Sequence, residues 1–427
     1  MTENTRTVLV ATVGTGRYRK DIASAIVLSA RQNDASKVLL LSSPQSSAET
    51  VPLVRDQLAD LDIREQVCTD GREDNVQSLF MDWSAHWEEW LSGWLPARVV
   101  VDFTSGTKPM SAAAFALAIS READGVSYVV GPRDRTGRAT ESTAAVCFAP
   151  ELVVGRQQLR LAAEHFNAGS FAAARDIAAS YMKCDQMPDE TLRTMARGLH
   201  YIAAGYEAWD RFDWKQARSY LHQVISDCSE WQWLHTPDQL RQNYSLLTEI
   251  KKHSGQQGFA TWILADLLSN ARRCMDREDW DDAVARLYRA CEMVAQKRLL
   301  EQYRQKTGDI DPDTLPDELR EEYRRRKDNA ARGKLALGLE ASYRLLEQLG
   351  DELGRAFREV YGAEGKGELA SLLAARNQSL LAHGEAPIRP EKAEKLWGQV
   401  VGLANTFWQD ELAAAQAQTK PVRFVIR

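Results

Sequence analysis

Near the far end of the chain, the stretch ARNQSLLAHG (residues 375–384) places Arg376 and His383 seven positions apart, with Asn377 directly after the arginine. Seven residues of α-helix turn through about 700°, close to two full turns, so both side chains leave from nearly one face, about 10 Å apart along the axis. Gly384 and then Pro387 follow, as the end of a helix calls for. An imidazole in a last helical turn moves protons in either direction near neutrality, and a guanidinium makes forked contacts with phosphate. Asn377 can hold the same phosphate or orient the arginine. RNA carries its own nucleophile in the 2′-hydroxyl. The trio is therefore equipped to cleave RNA without a metal, leaving 2′,3′-cyclic phosphate and 5′-hydroxyl ends, and to spare DNA. Taken alone, the same spacing also suits an ordinary helix end, where Arg and His satisfy the last carbonyls.

Two glycine-bearing turns at the other end of the chain have ligand-binding chemistry. VGTGRYRKD (13–21) and DFTSGTKPMS (102–111) each follow a short apolar run and lead into a helical pattern. Glycine admits close backbone approach. Ser and Thr hydroxyls together with helix-start N–H groups bind phosphate oxygens, and Arg17 and Lys108 add charge. Neither turn has the spacing of a nucleoside-triphosphate loop or of a dinucleotide turn. The plainer alternative is that Ser105 or Thr107 caps the next helix. Pro109, in the first helical turn, and the adjacent lysine favour a ligand at the second turn.

The elements that must position these groups divide the sequence in two. Within 1–150, the runs at 7–13, 37–42, 97–103 and 125–130, with a weaker one at 63–69, read as β-strands, and 141–150 reads as an edge strand. Amphipathic stretches separate them. Continuous apolar strands alternating with helices specify a parallel sheet covered on both faces, the Rossmann-like doubly wound class. Beyond about residue 151 the pattern is helical throughout. Three segments there look alike (166–181, 209–225 and 275–296), each an aromatic (Phe171, Trp214, Trp280) followed by alanine three residues on. Their unequal spacing excludes a solenoid. The fold class is thus α/β followed by all-α, with domains at 1–150, 151–255 and 256–427, and the tail PVRFVIR reads as a short terminal strand.

The 27% of charged residues and 44% of hydrophobic ones suit a globular protein, and the net charge of −6 argues against a general nucleic-acid coat. The opening residues lack the form of a signal peptide and no run approaches a membrane span. Six scattered cysteines without a CxxC pair read as reduced thiols in a cytoplasmic protein. The other histidines form no metal-binding pattern, and no carboxylate cluster suggests a two-metal nuclease. Trp83, Trp87, Trp90 and Trp94 form a helical stripe, read as core or interface. The basic run 319–334 is interleaved with Glu and Asp and reads as a solvated helix face, with an RNA funnel as the rival.

TSGTKPMSAA after a strand, the earlier TVGTGR turn and a helical half ending in RNQSLLAHG together resemble the CRISPR-associated ribonucleases of type III systems, which join a CARF sensor domain to a HEPN domain. The HEPN motif is R-x4–6-H, often with Asn after the Arg, and Arg376, Asn377 and His383 fit its long form. The resemblance implies that 1–150 is a CARF domain and that 256–427 ends in a HEPN helical bundle. It also implies a cyclic oligoadenylate activator, no further cofactor and no metal, a homodimer with one ring lying across both chains, single-stranded RNA as substrate, and neither membrane nor DNA as partner. Gly14, Thr15, Gly16, Arg17, Thr104, Ser105, Gly106, Thr107, Lys108 and Met110 would line the ring site. Two rivals stand beside this reading: a non-catalytic regulator whose helices dock proteins, and a ring nuclease that degrades the activator.

Overall fold

The computed structural model describes residues 6–15, 19–69, 71–132, 142–182, 190–228, 231–253, 261–377 and 387–425. The chain forms two compact units, one of residues 1–158 with 180–196, the other of 159–179 with 197–427.

In the first unit the order is β1 (Thr7–Val13), α1 (Arg19–Gln32), β2 (Ala35–Ser42), α2 (Pro44–Glu49), α3 (Val51–Gln57), β3 (Asp62–Val67), α4 (Val76–Leu91), β4 (Arg98–Asp102), α5 (Lys108–Ser120), β5 (Gly125–Val130) and β6 (Ala144–Phe148). A strand stands at each run expected from the sequence, the weak one included. The sheet runs β3-β2-β1-β4-β5-β6, parallel except for the antiparallel β5–β6 edge. Burial on both faces explains the unbroken apolar runs. Along β1, Val8 and Val10 pack under α4 and α5, while Leu9, Ala11 and Val13 pack under α1 and α3. The tryptophan stripe is core: Trp83, Trp87, Trp90 and Trp94 are all buried in the layer over Val8 and Val10. Helix α5 is apolar on nearly every side, and its Ala113, Ala114 and Ala118 are small enough to let it lie close to the sheet.

From there the chain is helical: α6 (Glu151–Asn167), α7 (Phe171–Met182), α8 (Glu190–Asp210), α9 (Trp214–His222), α10 (Pro237–His253), α11 (Thr261–Asp276), α12 (Trp280–Tyr303), α13 (Asp317–Asp328), α14 (Leu339–Gln348), α15 (Glu352–Tyr361), α16 (Glu368–Asn377) and α17 (Pro390–Thr419). The three look-alike segments share one turning device. A residue in the left-handed region (Gly169, Phe212 or Glu278, with φ of 81°, 60° and 64°) sits two places before the aromatic, and the aromatic opens the next helix. Trp214 also reaches inward: its indole and that of Trp209 donate to the fully buried Asp266 carboxylate on α11 at 2.9–3.0 Å. In the second unit one core gathers apolar residues of α11, α12 and α14 to α17.

The basic run becomes α13, where Arg320, Arg324, Arg326 and Lys327 pair with Asp317, Asp313, Glu322 and Asp309. That pairing is the behaviour of a solvated face. The tail forms an isolated antiparallel bridge, Leu234 to Phe424. Phe424 packs edge-on against Phe166 and stacks on Trp233, and its backbone exchanges hydrogen bonds with the Asn167 amide at 2.8 and 3.0 Å. Cys68, Cys147, Cys228, Cys274 and Cys291 carry free thiols, and Cys184 lies outside the described residues. Among the described residues no helix is long and apolar enough to cross a membrane, and no group of three His, Cys, Asp or Glu side chains is placed to hold a metal.

Candidate functional site

Strand β1 lies between β2 and β4, so the chain leaves β1 toward one edge of the sheet and β4 toward the other. Ligands of doubly wound sheets sit where the strand order reverses in this way, outside the carboxyl ends of the strands. Both glycine turns meet at that point. A Cβ on Gly14 would stand 2.8 Å from the Gly106 nitrogen, so the two backbones touch with no room for a side chain between them. The Thr12 hydroxyl donates to the Ser105 carbonyl, and the Ser111 hydroxyl donates to the same oxygen at 3.1 Å. Gly106 itself has φ 96°, a conformation that a side chain would strain.

The remaining expected residues divide by what they touch. The Thr104 hydroxyl accepts from the Val129 N–H at 2.8 Å and so ties the turn to β5. Thr107 caps α5, accepting from the Met110 N–H at 3.3 Å while donating to the Glu73 carbonyl at 2.6 Å. Met110 is buried beneath the turn, and Ser105 is nearly so. Thr15 donates to Glu49 at 3.2 Å, and Arg19 approaches the same carboxylate at 3.5 Å. Hydrogen bonds from Gln45 and Thr15 hold the Glu49 carboxyl below its usual range. Lys108 is exposed and forms no ion pair among the described residues. Gly16 and Arg17 lie outside the described residues. What faces the crevice is therefore mostly backbone amide, the start of α5 and one lysine, an arrangement suited to an anion.

Beneath the crevice lies a group that the sequence analysis passed over. Asp102 ends β4 and is 1% exposed. It accepts from the Ser29 hydroxyl at 2.5 Å and from the Thr104 N–H at 2.9 Å, and Ser127 and Asn33 complete a buried polar network. A carboxylate and a serine inside an otherwise apolar layer were the available signal, because buried polar groups must be paired. Burial raises the Asp102 pKa, against the opposing hydrogen bonds from Ser29 and Thr104. A raised pKa means the folded protein keeps this proton to higher pH than the unfolded chain does. The stabilisation from that proton is full below the ordinary Asp value of about 3.9 and is lost as pH rises through the folded value. Asp102→Asn is isosteric and lacks the charge. Its melting temperature should rise relative to wild type as pH climbs from about 4. Paired thermal melts across that window check this, and a constant difference would contradict it.

In the second unit, α16 buries Leu369, Leu372, Leu373 and Ala375 and leaves Arg376 exposed. The Arg376 guanidinium lies over the Tyr288 ring of α12, 5.2 Å from its centroid. Asn377 is the last residue of α16, and His383 lies outside the described residues, as do Leu380 and Leu381. Tyr288 was not legible as a site residue: it precedes Arg376 by 88 residues, and only packing brings α12 to α16.

Residues 239–407 match the family model of the Csm6 HEPN domain. Among solved structures, the chain is similar to Enterococcus italicus Csm6 bound to cyclic hexa-2′-fluoro-hexa-dAMP, with TM-score 0.53 and 14% identity over 97% of this chain and 98% of that one. Can2 from Sulfobacillus thermosulfidooxidans in complex with cyclic tetra-adenylate matches at TM-score 0.23 and 13% identity over 52% of this chain and 69% of that one, too low a score to support an argument. No curated protein matches the sequence. The chain thus joins a Rossmann-like sheet to a helical half that carries the match to the Csm6 HEPN domain, and its fold is similar to that of the Enterococcus italicus protein.

Proposed function

We propose that the protein is an endoribonuclease switched on by a cyclic oligoadenylate. Residues 1–150 act as the sensor, 151–255 as the helical connector and 256–427 as the ribonuclease domain. The observation that carries this reading is the match of residues 239–407 to a HEPN domain, a span that includes Arg376, Asn377 and His383. In the first unit, the contact of Gly14 with Gly106 at the strand-order reversal supports a ligand there. The ring's phosphates face backbone amides and Lys108, with Gly14 to Arg17 and Thr104 to Lys108 forming the two rims and Met110 the floor. A ring of repeated nucleotides suits a two-fold axis, so two chains share one activator. Arg376 and Asn377 hold the phosphate of single-stranded RNA, and His383 moves the proton between the 2′-oxygen and the leaving oxygen. The substrate supplies the nucleophile, so no metal-bound water is required, and DNA is spared. The protein works in the cytoplasm.

The test measures cleavage of single-stranded RNA, and of DNA of the same sequence, with cyclic tri-, tetra- and hexa-adenylate in parallel. One ring size should switch on RNA cleavage alone. The Gly14→Ala variant pushes the two turns apart and should raise the activator concentration needed for half-maximal cleavage about tenfold or more, a loss of at least ~1.4 kcal/mol in ring binding. Cleavage that ignores all three rings would refute the switch, and an absence of cleavage with every ring would refute the nuclease.

A further inference from the structure

Beside Arg376 the second unit has an open cleft of about 520 Å³, within the range of small-molecule sites, ~300–1,000 Å³. Tyr288, Ala370, Ala374, Glu340, Arg344 and Tyr361 are among the residues that line it. Tyr288 belongs both to this cleft and to the contact with the Arg376 guanidinium, so the cleft opens directly next to the arginine. Tyr361 is held rigidly, stacked on Phe357 with ring centroids 4.8 Å apart, and Phe357 stacks on Tyr343 at 3.8 Å. The Glu340 carboxylate is aimed by two donors, the Tyr361 hydroxyl at 3.2 Å and the Arg344 guanidinium at 3.0 Å, and its side chain remains 53% exposed. A cleft lined by two tyrosines and a hydrogen-bonded carboxylate differs from a purely electrostatic RNA track. Flat aromatic walls stack bases, and a carboxylate accepts from base-edge N–H groups and repels phosphate.

We propose, resting on the ribonuclease reading, that this cleft takes the nucleobase next to the cleaved linkage and that Glu340 selects guanine there. Guanine presents two parallel donors, N1–H and the 2-amino group, which match the two oxygens of a carboxylate. Cytosine and adenine each offer an amino group alone on that edge, and uracil a single imino N–H. Arg376 then holds the adjoining phosphate while Tyr288 and Tyr361 hold the base. Positioning of the base thereby fixes which linkage reaches the arginine.

The test has two arms. In the first, the activated wild type and Glu340→Gln cut a randomised single-stranded RNA pool, and the cut ends are sequenced. Wild type should favour guanine at one position beside the cut by about tenfold. Glu340→Gln, whose amide suits adenine instead, should lose that preference and move toward adenine. In the second arm, guanosine- and uridine-containing oligonucleotides are bound to Arg376→Ala, with and without Glu340→Gln, and followed by fluorescence anisotropy. A guanine preference that Glu340→Gln removes supports the cleft even if no cleavage is ever seen. Cleavage with the same base profile in wild type and Glu340→Gln overturns the cleft and leaves the nuclease standing. Equal binding of both oligonucleotides also overturns it.

Discussion

Arg376→Ala should abolish activated RNA cleavage, lowering it by about 10²–10³-fold or more, while leaving cyclic oligoadenylate binding at the wild-type level. The size follows from what the guanidinium does: removing one preorganised donor to a developing oxyanion costs that much in comparable sites. The clean separation follows from placement, because Arg376 belongs to the second unit and the glycine turns to the first. The side chain is exposed and lies over the Tyr288 ring, so its removal leaves the buried face of α16 (Leu369, Leu372, Leu373) in place. Arg376→Lys keeps the charge but loses the fork, and should recover only a small part of the activity. Cleavage rates, ring binding by calorimetry and thermal melts, all measured on the same preparations, check this. Full cleavage by pure Arg376→Ala would dismiss the site assignment, and His383→Ala should match its loss.

The second large effect concerns stability. Gly354, in the first turn of α15, lies against the backbone of α14. A Cβ there would stand 2.2 Å from the Glu347 nitrogen and 2.6 Å from the Leu346 carbonyl carbon. No side-chain rotation relieves a clash with backbone, so Gly354→Ala must drive the two helices apart. The gain in helix propensity, about 1 kcal/mol, works the other way. Overpacking of a tight core costs ~1–3 kcal/mol and sometimes more, and contact with fixed backbone belongs at the upper end. The Tyr343–Phe357 stack bridges the same two helices with its rings 7° from parallel, and separating the helices forfeits it as well. Denaturant melts should show a net loss of about 2–3 kcal/mol in the transition of the helical unit. An unchanged midpoint would mean that α14 and α15 pack less closely than described.

Much of this architecture could be read from residue types, and the reasons are physical. Strands such as TVLVATV announce themselves because both of their faces are buried, and α5 because KPMS begins it with a capping threonine before it. The tryptophan stripe at helical spacing was legible as core or interface, and it is core. What no local pattern contains is the order of strands across the sheet. The turns after β1 and β4 are some ninety residues apart, as the Thr12–Ser105 separation of 93 shows, and only the sheet order brings them into contact. The same limit hid Tyr288 and the cleft behind it, where α12, α14, α15 and α16 converge. Asp102 was in plain view within DFTSGTKPMS, but its depth was not, because the sequence does not say how far the last residue of a strand is covered.

The tail bridge also bears on how the second unit assembles. Phe424 completes its contacts with Asn167, 257 residues earlier, and with Phe166 and Trp233. Closing a loop of that length carries an entropic cost before the aromatic packing rewards it. An all-helical body usually gathers quickly from neighbours along the chain, whereas distant pairings of this kind set a slower pace. Such a clasp is expected to close late, and until it does, Phe166 and Trp233 keep their other aromatic neighbours but lack the Phe424 ring that packs on both.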